Sequence, residues 1–344
     1  MILLMDGDMN LKEISTEARR KLGECFEDSH KTDVLLNRLE AEFLDCPSYL
    51  RVTEPMLEIP SDKSDKFFSA LSRVCSGEPL QYVLGYEMFY GRKFNVSPSV
   101  LIPRPETEEL CKEVIDSIDK SGRLHDMSNR SAENHLHTCS TIIPSERGQI
   151  RNTGRKIRIL DLCTGSGCIA WTLAAEIPDS EVVAVDISPE ALSVALTQPL
   201  NLRNSPAFVL ADVLAGPESF KEGNPALCKG GFDVIVSNPP YVRDSERRFM
   251  DSNVLDYEPG LALFVSDADP LIFYRAVVQW SKSLLNRGGI CVVEINEDLP
   301  KETAGLFTHF SSVSVLNDMF SKPRFVSCKG FFYSDNTRKS LITI

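Results

Sequence analysis

The chain has 344 residues, 42% of them hydrophobic and 25% charged, with a formal net charge of -12. That length suffices for two domains around a large core. The acidic balance excludes a broad phosphate-binding face, because the basic runs are as short as Arg19-Arg20-Lys21 and Arg247-Arg248. Ten scattered cysteines without a CxxC pair suit a reducing, cytoplasmic compartment. The opening MILLMDGDMN has too short an apolar stretch for a signal peptide, and its acids oppose a transit peptide. No run of about 18 apolar residues is available to span a membrane.

Residues from about 10 to 76 carry a helical period. Leu11, Ile14, Ala18 and Leu22 mark a first segment, and Val34, Leu35, Leu39 and Leu44 a second. Phe67, Phe68, Leu71 and Val74 mark a third, behind the candidate caps Ser61 and Ser64. Together they predict a small helical bundle over residues 1–84. From 85 to 120, alternation in YEMFYGRKFNV about Gly91 predicts a hairpin linker. A helix follows in PRPETEELCKEVIDSI, with Thr107 as its cap and glutamates suited to the positive end of the dipole. Residues 121–153 are polar and aperiodic and read as a flexible insertion. Within them His125, His135, His137 and Cys139 fit no zinc spacing, so a solvated loop is expected.

From 154 to 344 the pattern alternates: KIRILDL, a helix from Gly167, EVVAVDI, a helix from Pro189, PAFVLAD and FDVIVSN. A helix near Asp269 to Leu285 follows, then GICVVEI and two β-rich runs near Val313 to Leu316 and Gly330 to Tyr333. Such alternation predicts an α/β fold, a doubly wound, Rossmann-like and mostly parallel sheet with ligands across the carboxyl ends of its strands.

Three strand ends then form a series. The first runs into Cys163, Thr164, Gly165, Ser166 and Gly167, a turn that lets backbone N–H groups approach a ligand. The second ends in Asp186, placed to accept both hydroxyl protons of a ribose. The third ends in Asp212, an acceptor for an adenine amino group, with Val213 to cover the ring. Gly165, Gly167 and Ala170 also fit a dinucleotide fingerprint, so the turn alone leaves dinucleotides and S-adenosylmethionine both open.

The fourth strand separates them. It ends in Asn238-Pro239-Pro240-Tyr241, which offers two acceptors, the Asn238 side-chain carbonyl and the Pro239 backbone carbonyl, to the two donors of a planar NH₂ group. Fixing such a nitrogen in line with an S–CH₃ bond removes ~7–11 kcal/mol of barrier in favourable cases. Tyr241 adds an aromatic face for the planar group or a sulfonium.

LDLCTGSGCIA, AVDIS, LADV and SNPPYV together resemble a class I, seven-stranded S-adenosylmethionine-dependent methyltransferase. GEPLQYVLGYEMFYGRKFNVSPSVLIPRPETEEL and LDYEPGLALFVSDADPLIFYR narrow the resemblance to the release factor glutamine N5-methyltransferases, the PrmC/HemK family. That resemblance implies methylation of the glutamine in the Gly-Gly-Gln motif of bacterial-type peptide chain release factors. It implies no metal, no direct nucleic-acid partner and a monomer, with residues 1–84 recognising the substrate and 154–344 as the methyltransferase domain. By position, Cys163 to Gly167, Asp186, Asp212, Val213 and Asn238 hold the cofactor. Asn238, Pro239, Pro240 and Tyr241 receive the glutamine, and Asn238, Pro239 and Tyr241 are catalytic. Arg104 and Glu106 lie nearest the expected cleft, and Tyr257-Glu258-Pro259 shape a loop over the substrate. Cys163 and Asn296 stand where the family commonly has glycine. A ribosomal-protein glutamine, or an adenine N6 in nucleic acid, are the alternative acceptors; the second calls for a basic face.

Overall fold

The computed structural model describes residues 9–120, 156–331 and 341–343. The expected insertion 121–153, with His125, His135, His137 and Cys139, lies outside the described residues, as does Tyr333. The chain divides into two compact units. One joins residues up to Glu87 with Val96–Pro98 and Phe249–Glu258; the other holds Met88–Asn95, Ser99–Arg248 and the chain from Pro259.

In the first unit, helix α1 (Leu11–Cys25) opens on a capping box. Asn10 Oδ1 accepts from the Glu13 N–H at 3.0 Å, and Glu13 Oε2 accepts from the Asn10 N–H at 3.0 Å. Its predicted face of Leu11, Ile14, Ala18 and Leu22 is wholly buried. Helix α2 (Ser29–Phe43) buries the expected Leu35 and Leu39, with Leu44 buried just beyond it, but not Val34. Leu35, Leu36 and Leu39 are buried and Val34 is 44% exposed, because the 3.6-residue period centres the stripe on the leucines. Helix α3 (Ser61–Cys75) buries Phe67, Leu71 and Val74, with Phe68 packed partly against them. Neither candidate serine caps it. Pro60 occupies the cap position, and Ser64 Oγ donates to Ser61 O at 2.9 Å inside the first turn.

The hairpin forms as expected, with Tyr86–Phe89 and Arg92–Asn95 paired in a two-stranded sheet. Helix α4 (Pro105–Lys120) begins at a proline, whose preset φ suits the first helical position. Thr107 therefore sits within the first turn rather than capping it.

The central sheet contains β1 (Ile157–Leu162), β2 (Ser180–Asp186), β3 (Ala207–Leu210), β4 (Phe232–Ser237), β5 (Leu285–Glu294), β6 (Phe310–Asn317) and β7 (Pro323–Phe331). An eighth short strand, β8 (Leu341–Thr343), extends the edge beside β6, giving the order β8-β6-β7-β5-β4-β1-β2-β3. Only β7 runs antiparallel to its neighbours. Every residue of β1 and β4 is buried, because layers cover both faces. Leu160, Leu162, Val183 and Ile235 pack with helix α6 (Ile272–Leu284) through Tyr274 and Trp280. Their neighbours Ile159, Val182, Val234 and Val236 pack on the other face with α4 and helix α5 (Cys168–Glu176).

Strand order reverses between β1 and β4, where Leu162 lies opposite Ser237. Ser237 Oγ donates to Leu162 O at 2.7 Å, which ties the two carboxyl ends together. A doubly wound sheet opens a crevice at such a point.

Candidate active site

The turn after β1 keeps its shape through left-handed backbone at Cys163 (φ 62), Gly165 (φ 54) and Gly167 (φ 78). The two glycines serve different needs. A Cβ on Gly165 would meet nothing within 4 Å, so the space over it is open. A Cβ on Gly167 would come within 3.1 Å of Ala195, Phe208 and Trp171, so this position is closed by packing. Cys163 takes the strained conformation with a side chain, whereas Asn296 has no positive φ. Asn296 instead donates through Nδ2 to Tyr241 O at 3.1 Å and to Glu246 Oε2 at 3.0 Å.

Beneath the turn, Asp161 is fully buried and accepts from Thr164 Oγ1 at 2.6 Å. Burial pushes its carboxyl up to about 7, against the pull of that hydroxyl. Asp186 ends β2 and braces the same turn. Its Oδ2 accepts from the Gly165 N–H at 2.8 Å and its Oδ1 from the Ser188 N–H at 3.0 Å. Burial raises its pKa, and the N–H groups of Ser188 and Gly165 oppose the rise. Each oxygen retains a lone pair for a ligand. Asp212 uses Oδ1 to accept from the Leu214 N–H at 2.8 Å, capping a short 3₁₀ turn. Buried Val213 is held from behind, because Trp280 Nε1 donates to its carbonyl at 2.9 Å.

A single cleft gathers most of the predicted residues. Cys163, Thr164, Gly165 and Ser166 line it from β1; Asp186, Asp212 and Val213 line it from the next two strands; Asn238 and Pro240 line it from β4. Gly167, Pro239 and Tyr241 are not among the lining residues. Pro239 is buried, and Tyr241 is half-buried with its hydroxyl donated to Glu294 Oε1 at 2.9 Å. Of the PRPET pair, Arg104 lines the cleft and Glu106 does not. Pro259 lines it too, but Tyr257 and Glu258 belong to the first unit, where Tyr257 OH donates to Ser76 O at 3.2 Å.

Three residues that the sequence reading did not assign to the site shape it. Asn238 Nδ2 donates to Thr107 Oγ1 at 3.1 Å, and Thr107 Oγ1 donates to Glu294 Oε2 at 2.8 Å. Glu294 ends β5 and is 1% exposed; burial raises its pKa to about 6, while the Thr107 and Tyr241 hydroxyls pull it down. Tyr241 in turn is held well above the usual phenol range by burial and by the Glu294 charge, so it stays a donor. Gln198 braces the glycine turn, its Nε2 donating to Ser166 O at 2.9 Å and to Asn95 O at 3.0 Å. An acid at the end of a strand whose last six residues are buried is the signal that picks out Glu294. Thr107 carries none beyond its place in PRPET.

Chemically, the cleft offers carboxylates at two strand ends, an apolar wall at Val213 and a carboxamide at the third. Those groups suit a ligand with hydroxyls and a flat ring beside a planar amide.

A methyltransferase small domain model matches residues 148–254, and a PrmC N-terminal domain model matches residues 13–85. A relative from Bacteroides thetaiotaomicron named release factor glutamine methyltransferase is 37% identical over 77% of this chain and 81% of its own. A Flavobacterium psychrophilum protein of the same name is 31% identical over 92% of this chain and 98% of its own. A third, from Koribacter versatilis, is 34% identical over 84% of this chain and 90% of its own.

Proposed function

The chain belongs to the release factor glutamine methyltransferase family, and from that premise we propose that its cleft transfers methyl from S-adenosylmethionine to the side-chain amide nitrogen of the Gly-Gly-Gln glutamine of a peptide chain release factor. S-adenosylmethionine, when bound, supplies an electrophilic methyl group on a sulfonium. The residues present suit it. Space is open over Gly165, Asp186 retains lone pairs for a ribose, and Val213 gives an apolar wall for adenine beside Asp212.

The observation that carries the reading is the contact of Asn238 Nδ2 with Thr107 Oγ1. It commits the amino end of the carboxamide to the protein and leaves Oδ1 as the acceptor. An incoming glutamine NH₂ then donates one proton to Asn238 Oδ1 and the other to the Pro239 carbonyl. Those bonds raise electron density on an amide nitrogen that is otherwise a poor nucleophile. With the cofactor bound, the held nitrogen would take its methyl group as the S–CH₃ bond broke to leave a neutral thioether, and would give up one proton to solvent. The prolines stiffen the turn, so little reorganisation is needed. Tyr241 is anchored through Glu294 and contributes its ring at the turn. The helical unit, the 1–84 region of the sequence reading, is assigned to holding the body of the release factor.

Labelled S-adenosylmethionine offered with unmodified release factor, ribosomal protein and RNA tests the substrate. Label entering the release factor is expected. Label entering only ribosomal protein or RNA would refute the assignment.

A further inference from the structure

We infer that Glu294 and Thr107 form a positioning relay that sets which end of the Asn238 carboxamide faces the cleft. The inference rests on the proposed methyl transfer and concerns how its acceptor is aimed. Glu294 sits on β5, Thr107 in the first turn of α4 and Asn238 after β4, so the relay joins three elements.

The direction of each bond follows from what each group can do. An ionised carboxylate only accepts, so Thr107 and Tyr241 must both donate their hydroxyl protons to Glu294. With its one proton spent, Thr107 Oγ1 can meet Asn238 only as an acceptor, and the group it meets is Nδ2. Turning the carboxamide over would set Asn238 Oδ1 against an oxygen with no proton to give. The orientation is thus fixed two residues away, by the charge on Glu294.

Tyr241 stays a donor to Oε1, so a proton taken from solvent by Glu294 goes to Oε2 and reverses the chain there. The new carboxyl O–H donates to Thr107, Thr107 donates to Asn238, and the carboxamide must turn Oδ1 toward Thr107. Its NH₂ then faces the cleft and opposes the NH₂ of the substrate. Arg324 favours the ionised form and Glu106 opposes it; Tyr241, Tyr274, Cys111 and Cys168 complete the titratable groups around the carboxyl. The resulting pKa of about 6 puts the reversal within reach of ordinary assay buffers. The substrate amide has no titration there, so an acid limb reports on the enzyme.

The test is kcat against pH, with release factor as substrate, for wild type, Thr107→Val, Thr107→Ser and Glu294→Gln. Cofactor Kd is measured for each variant as a check on folding. Wild-type kcat is expected to fall as pH drops through about 6. Thr107→Val should lose on the order of tenfold in kcat at pH 8, the worth of one hydrogen bond, and lose the acid limb. Glu294→Gln should also lose the limb and carries the same test should Thr107→Val fail to bind cofactor. Thr107→Ser should recover both kcat and limb. A wild-type limb and kcat in Thr107→Val, or an unchanged limb in Glu294→Gln, overturns the relay while leaving the methyl transfer standing. No methyl transfer by wild type at any pH removes the proposed function, and the relay with it.

Discussion

At Glu294 stability favours the neutral carboxyl, while the proposed relay to Asn238 needs the charged one. Glu294 is buried with its carboxyl raised from 4.5 to about 6. A raised acid contributes stability that is complete below its unfolded pKa and is lost as pH rises through the folded one. At pH 8 the ionised carboxylate therefore costs about 2 kcal/mol by linkage. Glu294→Gln should unfold at a higher denaturant concentration than wild type at pH 8 and lose that advantage near pH 4; a less stable variant at pH 8 would contradict this. Asn238→Ala should lower kcat by about 10²–10³-fold, the usual effect of removing one preorganised polar group, and change cofactor Kd far less than kcat. Sequence made Asn238 legible because two prolines after a buried strand demand a reason. It left Thr107 illegible, since a threonine near a helix start looks like a cap until Pro105 is seen to start the helix and the hydroxyl to bond Glu294.

At the scale of elements, the glycine turn is a compromise between packing and access. Gly167 is closed by Ala195, Phe208 and Trp171, while Gly165 is open and Cys163 is strained at φ 62. Cys163→Gly should relieve about 1 kcal/mol of backbone strain, net of the entropy glycine loses on folding, and raise the denaturation midpoint. A lowered midpoint would mean that the Cys163 side chain contributes more in packing than its backbone loses. The helices differ in how readily their faces were read. For α1 a clean period with one apolar stripe gave Leu11, Ile14, Ala18 and Leu22 directly. In α2 consecutive Val34, Leu35 and Leu36 left the phase ambiguous, and tertiary packing put Val34 outside. The sheet was legible where its apolar runs have buried-strand length, but β7, expected near Gly330 to Tyr333, runs Pro323–Phe331 because its apolar residues are interrupted by Arg324, Ser327 and Lys329, and β8 is too short to stand out.

Across the whole molecule, Asp161 and Glu294 lie in the same unit with carboxyls raised to about 7 and about 6. Both lose stability as they ionise on the way up to about pH 7, while buried His309, lowered to about 4, gains it up to about pH 6.5, so wild-type stability should decline in urea titrations only above about pH 6.5. A flat or rising profile there would contradict that sign. The helical unit exposes Val52 (83%) and Met56 (67%), more apolar surface than its core requires. If that unit holds the release factor, Val52→Asp with Met56→Asp should raise KM for the protein substrate several-fold and leave cofactor Kd alone; an unchanged KM would remove this surface from recognition.

The central claim is that the turn Asn238 to Tyr241 directs a methyl group onto one amide nitrogen of another protein. Fragmentation mass spectrometry of release factor incubated with wild-type enzyme and S-adenosylmethionine tests it most directly. One added methyl on the side-chain nitrogen of the Gly-Gly-Gln glutamine is the predicted result. A methyl on another residue, or none on that glutamine, would contradict the account.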